Sequence, residues 1–201
     1  PGQKIQVEYQ AKLNEKAGVN FDANIKKAYL EYSNNPASGS TAKTGEDKVY
    51  VYTFGIDSNL FGKSTEKWNG KTKELIKVEE GEYQWVETEK ESGIFTTTTA
   101  LEGATFTLTN NKTKKSYTAT SDKYGYLEFT GLDAGEYTLQ ETDAPDGFTL
   151  NDAKHTVVIT AEYNQDGTLK SYTIKIDDKA TSTYTATYDK GVIKTITSTK
   201  D

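Results

Sequence analysis

Apolar and polar residues alternate with a period of two along most of the chain, the spacing of strands that turn one face inward. The alternation predicts strands over Lys4–Leu13, Ala28–Asn34 and Lys48–Ile56. Further on it predicts Leu75–Val78, Tyr83–Glu87, Thr105–Thr109, Tyr117–Thr120, Leu127–Thr130, Tyr137–Glu141, His155–Thr160, Ser171–Ile176, Tyr184–Tyr188 and Val192–Thr197. Asn110-Asn111, Asp166-Gly167 and Lys190-Gly191 stand between these runs and tolerate the backbone conformations of tight hairpin turns. A helical period is present, weakly, only over Thr65–Glu74. Many short strands separated by turn chemistry predict an all-β protein built of antiparallel sandwiches. Asn34–Asp47 is a polar loop, and a boundary is expected near residue 54. Residues 1–53 hold three or four strands, too few to close a sandwich, so they read as the C-terminal part of a preceding domain. Residues 54–201 read as a complete one.

Composition narrows the function classes. The chain has 201 residues, 24 basic and 30 acidic, a net charge of −6, and every basic residue is Lys. An acidic surface without Arg speaks against nucleic acid as a partner. There is no Cys, hence no disulfide, thiolate nucleophile or Cys-ligated metal, and His155 is the single His. No apolar run approaches the roughly 18 residues of a membrane span, so no membrane partner is expected for this stretch. Thr (31 residues) and Tyr (14 residues) are abundant, and both suit a pleated, half-exposed surface. Met is absent and residue 1 is Pro, so the chain is expected to be a trimmed piece of a longer product. Asp143, Asp146, Asp152 and Asp177-Asp178 lack a cation-loop signature and read as turn and surface residues. No metal, no cofactor and no enzyme activity are expected.

One motif decides the reading. Gly125–Phe148 contains Gly131-Leu132-Asp133-Ala134-Gly135-Glu136-Tyr137, then Tyr137-Thr138-Leu139-Gln140-Glu141-Thr142-Asp143-Ala144-Pro145-Asp146-Gly147-Phe148. This resembles the E-box of CnaB-type Ig-like domains in the backbone (shaft) pilins of Gram-positive sortase-assembled pili. Leu101–Leu108 resembles the second strand of that module. Leu30–Pro36 with Val51–Gly55 resembles the end of the preceding shaft domain and its junction. Tyr137, Leu139 and Glu141 share one strand face, so Glu141 is expected to point inward beside two apolar residues. A buried carboxyl without a cation prefers its protonated form. The resemblance implies that such an acid serves a Lys–Asn isopeptide bond within the domain. Lys attacks the Asn carboxamide, the acid moves the protons, and ammonia leaves. The other reading of Glu141, a carboxylate open to water or bonded to turn amides, remains open on spacing alone.

The resemblance also marks departures. Leu60 stands where the family has its reactive Lys, and Ser198 where it has the acceptor Asn. Lys63 or Lys77 with Asp177 would be an alternative pair. Asn34 matches the acceptor of the preceding shaft domain, with its Lys partner outside this chain. Its other reading is an Asx-turn before Pro36. Trp68 and Trp85 read as core or interface residues. The resemblance implies an extracellular, wall-anchored pilus subunit whose partners are other pilin subunits and a pilus-specific sortase. An adhesin stalk or ancillary pilin that binds host matrix is the alternative, with Ser64–Ala100 as its candidate ligand-binding insertion.

Overall fold

The computed structural model describes residue 8 and residues 10–35, 37–68, 71–79, 82–89 and 93–199, with the backbone alone at 35, 63–97, 180 and 181. Every regular element among the described residues is a strand, and every pairing is antiparallel. The N-terminal part holds β1 (Asn24–Ala28), β2 (Glu31–Asn35), β3 (Ser40–Lys43) and β4 (Asp47–Val51). Then come β5 (Phe54–Asn59), β6 (Phe61–Trp68), β7 (Lys71–Glu79), β8 (Glu82–Glu89) and β9 (Gly93–Ala100). The C-terminal half adds β10 (Thr105–Asn110), β11 (Ser116–Thr120), β12 (Tyr126–Leu132), β13 (Gly135–Asp143) and β14 (Lys154–Tyr163). It ends with β15 (Leu169–Ile176), β16 (Lys179–Asp189) and β17 (Val192–Thr199).

Seven strands form the main sheet in the order β11-β10-β13-β14-β15-β16-β17. The period of two selects its inner face. Leu108, Tyr137, Val157, Ile159, Tyr172 and Ile174 are buried there, while Thr residues line the outer side. The β5–β12 pair covers this face, because Phe54, Leu127, Phe129 and Leu132 belong to the same buried cluster. The outer face is stitched by hydroxyls. Thr105 meets Thr120 at 2.9 Å, Thr109 meets Ser116 at 2.9 Å, and Thr173 meets Thr183 at 3.0 Å. Cross-strand Thr pairs of this kind add a few tenths of a kcal/mol each, up to about 1. They explain why so Thr-rich a chain holds a flat exposed face.

Three expected elements differ. The described residues of Thr65–Glu74 are not helical; they fall on β6 and β7, which pair with β9 and β8 in two successive antiparallel ribbons. Gly70 weakens any helix there, and pairing with residues 82–100 outweighs a weak helical period. Ala28–Asn34 is not one strand. The chain leaves β1 at Ala28 and enters β2 at Glu31. Leu30 and Thr44 clip the step, with Leu30 N donating to Thr44 Oγ1 and Thr44 N to Leu30 O, both at 2.9 Å. Gln10–Leu13 form no strand, and the start of the predicted Lys4–Leu13 run lies outside the described residues.

The predicted run Lys48–Ile56 also breaks, at Tyr52-Thr53, and the cause is distant in sequence. Residues 18–24 fold into a turn against this point. Asn20 N donates to Thr53 O at 2.6 Å, Thr53 Oγ1 to Gly18 O at 3.0 Å, and Asn24 Nδ2 to Val51 O at 3.2 Å. Gly55 N donates to Asn20 Oδ1 at 3.2 Å. The turn inserts Phe21 into the main cluster, its ring centroid 5.3 Å from that of Tyr172. The core therefore draws on residues either side of position 53.

Candidate functional site

The E-box lies on β13, the third strand from one edge of the main sheet. Its lead-in, Leu132–Tyr137, makes the corner that admits the strand. The Tyr137 hydroxyl donates to the Asp133 carbonyl at 2.8 Å, four residues back, and its ring is fully buried. This is the geometry of the tyrosine corners found in Ig-type sandwiches. Burial pushes the Tyr137 phenol above its ordinary value.

Two steps along the same face come Leu139 and Glu141. Glu141 sits opposite Phe106 of β10, which packs against the core. Its side chain is half-buried, and Oε2 accepts the backbone N–H of Asn151 at 2.7 Å. The carboxylate thus joins the end of β13 to the loop that follows the Ala144-Pro145 turn. Asp143 and Asp146 line, with Glu102, a cleft of about 440 Å³ beside that loop. Among the described residues no group of three or more His, Cys, Asp or Glu comes together to hold a metal.

His155 is the neighbour that sequence reasoning missed. It pairs across the ladder with Leu139, one diagonal step from Glu141. Its Nδ1 lies 2.7 Å from Asp177 Oδ2, and Asp177 Oδ1 accepts Thr156 N at 3.0 Å. Asp177 and Asp178 adopt positive φ, 49° and 61°, in the tight turn between β15 and β16. The Asp-Asp pair between two strand-like runs was the available signal, but nothing local announces its bond to His155. The His155 side chain, and the Thr156 amide after it, hold the Asp177 carboxyl below the usual carboxylate range. A carboxyl depressed in the folded state stabilises fully above its unfolded value of about 3.9 and loses that contribution as pH falls through the lower folded value. The melting-temperature gap between wild type and Asp177→Asn is therefore expected to be at its full width above about pH 5 and to narrow as pH falls below about 3.9. Thermal melts across that range check it; a gap that does not vary with pH would show that the carboxylate contributes nothing.

Residues 95–173 match the SpaA prealbumin-like fold domain. The chain is 30% identical over 179 residues to the trypsin-resistant surface T6 protein of Streptococcus pyogenes serotype M6, a match covering 87% of this chain. It is 32% identical over 114 residues to serine-aspartate repeat-containing protein F of Staphylococcus epidermidis, covering 55% of this chain and 6% of that protein. Residues 95–173 are thus a prealbumin-like module of the SpaA type. The chain spans about 30% of the T6 protein's length. Among solved structures, the pilus adhesin RrgA of Streptococcus pneumoniae aligns with 48% of this chain and 14% of its own, at 21% identity and a TM-score of 0.30.

The matched stretch contains the whole E-box, His155 and most of β15. It leaves out Leu60 and Ser198, the positions at which partners of Glu141 are expected from the resemblance. Leu60 follows β5 and packs against the core. Ser198 is exposed on β17. Three strands separate β13 from β17 in the sheet. At about 4.8 Å per strand, Ser198 stands roughly 19 Å from the E-box strand. The structure does not bring Glu141 and Ser198 together. Asp177 is engaged by His155; the side chains of Lys63, Lys77, Trp68 and Trp85 lie outside the described residues. Asn34 is exposed on β2, and its Oδ1 accepts the Ser40 hydroxyl at 2.7 Å.

Proposed function

We propose that this chain is part of a structural subunit of a Gram-positive cell-surface pilus, covalently polymerised by a pilus-specific sortase and anchored to the wall. The observation that carries the reading is the similarity to the T6 surface protein over 87% of the chain, with the E-box intact on a strand of the pilin domain. Its partners are other pilin subunits and the sortase. Its work is mechanical, and no enzyme turnover, metal or cofactor enters it.

Glu141 is the E-box acid and Asn34 the isopeptide acceptor of the preceding shaft domain, whose Lys lies outside this chain. In the bond-forming step the neutral Lys amine attacks Cγ of the Asn. The Cγ–Nδ2 bond breaks, and ammonia departs with the amine's proton. The acid donates to the carbonyl oxygen and recovers a proton on collapse. A cross-link closing about 100 residues removes on the order of 4–5 kcal/mol of unfolded-state entropy by the disulfide analogy, and no reductant opens it. Within residues 54–201, Leu60 and Ser198 replace the two partners, so this module carries Glu141 without a bond to make.

Intact mass of the chain is expected to equal the sum of its residues plus one water, with no ammonia lost. A deficit of one ammonia would place a cross-link inside the chain and overturn the assignment of Leu60 and Ser198. Peptide mapping of wall-extracted fibres tests the larger claim. The polypeptide is expected throughout a high-mass ladder, and its appearance only as a monomer would end the shaft reading. The second reading, an adhesin stalk or ancillary pilin that contacts host matrix, is favoured by the ribbons inserted between β5 and β10. Deleting residues 64–100 would then abolish adhesion and spare assembly.

A further inference from the structure

The geometry points to a non-covalent contact between copies of this chain, in which β8 of one copy pairs with the open edge of β17 of the next. β17 ends the seven-stranded sheet and, among the described residues, pairs only with β16. All eight of its residues are exposed, including Val192 at 69%, Ile193 at 38% and Ile196 at 52%. The opposite edge differs. There β11 is tied down by the Tyr117 hydroxyl, which donates to Gly131 O at 3.1 Å, where the register of β12 shifts. An exposed edge with unpaired N–H and C=O groups is a template for another strand, and β17 carries no Pro and one charged residue, Lys194, to blunt it.

The occupant follows from the second incomplete element. The ribbons β6–β9 and β7–β8 are two-stranded, so each leaves its outer edges open among the described residues. A lone two-stranded ribbon is marginal in water and gains from a third strand. Charge selects which strand. β8 holds Glu82, Glu87 and Glu89 and no Lys, whereas β6 and β7 carry more Lys than Glu and β9 is uncharged. β17 holds Lys194 and no acid. Both β8 and β17 are eight residues long. Joining different edges of identical copies is a heterologous contact, which propagates as an open row and does not close. Such a contact is small and weak alone, and repetition along a row strengthens it. It needs neither a sortase nor an isopeptide bond, so its failure leaves the proposed function standing.

The absence of native Cys makes the test clean. Thr88→Cys and Thr197→Cys copies are mixed under mild oxidation, with Thr88→Cys and Ser116→Cys as the control pair at the other sheet edge. The 88–197 dimer is expected to form about tenfold faster than the control, a margin of about 1.4 kcal/mol in contact free energy. Charge reversal supplies the second arm. Lys194→Glu alone, or Glu87→Lys with Glu89→Lys alone, is expected to reduce sedimentation-detected self-association. Mixing the two variants is expected to restore it, because β17 of one then meets β8 of the other with opposite charges. Melting temperatures of the variants confirm that each is folded. Equal cross-linking rates, no rescue on mixing, or association independent of concentration would each overturn the proposal.

Discussion

Replacing Phe21 with Ala is expected to destabilise the whole domain built on the seven-stranded sheet by about 3–5 kcal/mol, the cost of emptying a buried aromatic site. The residue lies 33 positions before β5, and its own turn has no regular structure, so local reasoning would assign it almost no effect. Its surroundings argue otherwise. Phe21 is 7% exposed and touches Tyr172, whose ring lies 5.1 Å from Phe54 and stacks on Tyr184 at 4.7 Å. One aromatic row thus runs from the turn at 18–24 through β15 to β16 and β5. The turn cannot collapse into the vacancy, because the hydrogen bonds of Asn20, Asn24 and Thr53 hold its backbone in place. Urea unfolding should show a single transition shifted to lower denaturant with the slope unchanged. Phe21→Leu should recover part of the loss. Limited proteolysis of the wild type should cut within 36–46 and spare 18–24. If Phe21→Ala changed only the N-terminal ribbons and left the Tyr172 environment intact, the turn would be an ornament of the preceding segment. The proposed boundary near residue 54 would then also divide the cores.

The contrast between Phe21 and the strands after residue 100 shows which parts of the architecture a reader of the sequence could see. β10 to β15 each have a wetter and a drier face, so the period of two is written into them, whereas β17 is exposed along its whole length. Thr105, Thr107 and Thr109 point one way while Phe106 and Leu108 point the other, and no other arrangement buries both apolar residues. The break at Tyr52-Thr53 is invisible because Val-Tyr-Val-Tyr-Thr-Phe is a perfect strand pattern; the interruption is imposed by Asn20 and Gly18, about thirty residues away in the chain. Of the ribbon strands, β7 and β8 contain the predicted runs Leu75–Val78 and Tyr83–Glu87, whereas β6 and β9 are hidden, for a different reason. The polar β6 and the Thr run of β9 lack the two-faced contrast that a buried sheet requires, so they carry little periodic signal. At the site, the E-box motif located Glu141 on its strand and placed it beside Leu139 and Tyr137. Its partner could not be read. Asn151 offers a main-chain N–H, which any residue would supply, and Asp177 reaches His155 only because β14 and β15 set the two side by side.

Gly125→Ala carries the other large expected effect, about 2–4 kcal/mol, from two causes that can be separated. Gly125 has φ +74°, which costs an L-residue about 1–2 kcal/mol. Its added Cβ would also stand 2.2 Å from the Leu60 carbonyl oxygen, closer than any side chain tolerates. Here the neighbour cannot yield. Leu60 N donates to Gly125 O at 2.8 Å, and Leu60 O accepts Leu101 N at 3.0 Å, so moving it strains both bonds, at about 1–3 kcal/mol for a buried group left unpaired. The turn is equally fixed from its own side, because Asp122 O accepts Gly125 N at 2.8 Å and Asp122 Oδ1 accepts Tyr126 N at 3.0 Å. Gly103→Ala is the internal control. Gly103 has φ +88°, and a Cβ added there would meet nothing within 4 Å, so it should show the backbone cost alone. Subtracting one from the other isolates the clamp on Leu60. That clamp fixes the backbone at Leu60, the position at which a reactive Lys is expected from the resemblance. Equal losses at positions 103 and 125 would mean that Leu60 moves freely, and that the geometry around this position is not held by the turn before β12.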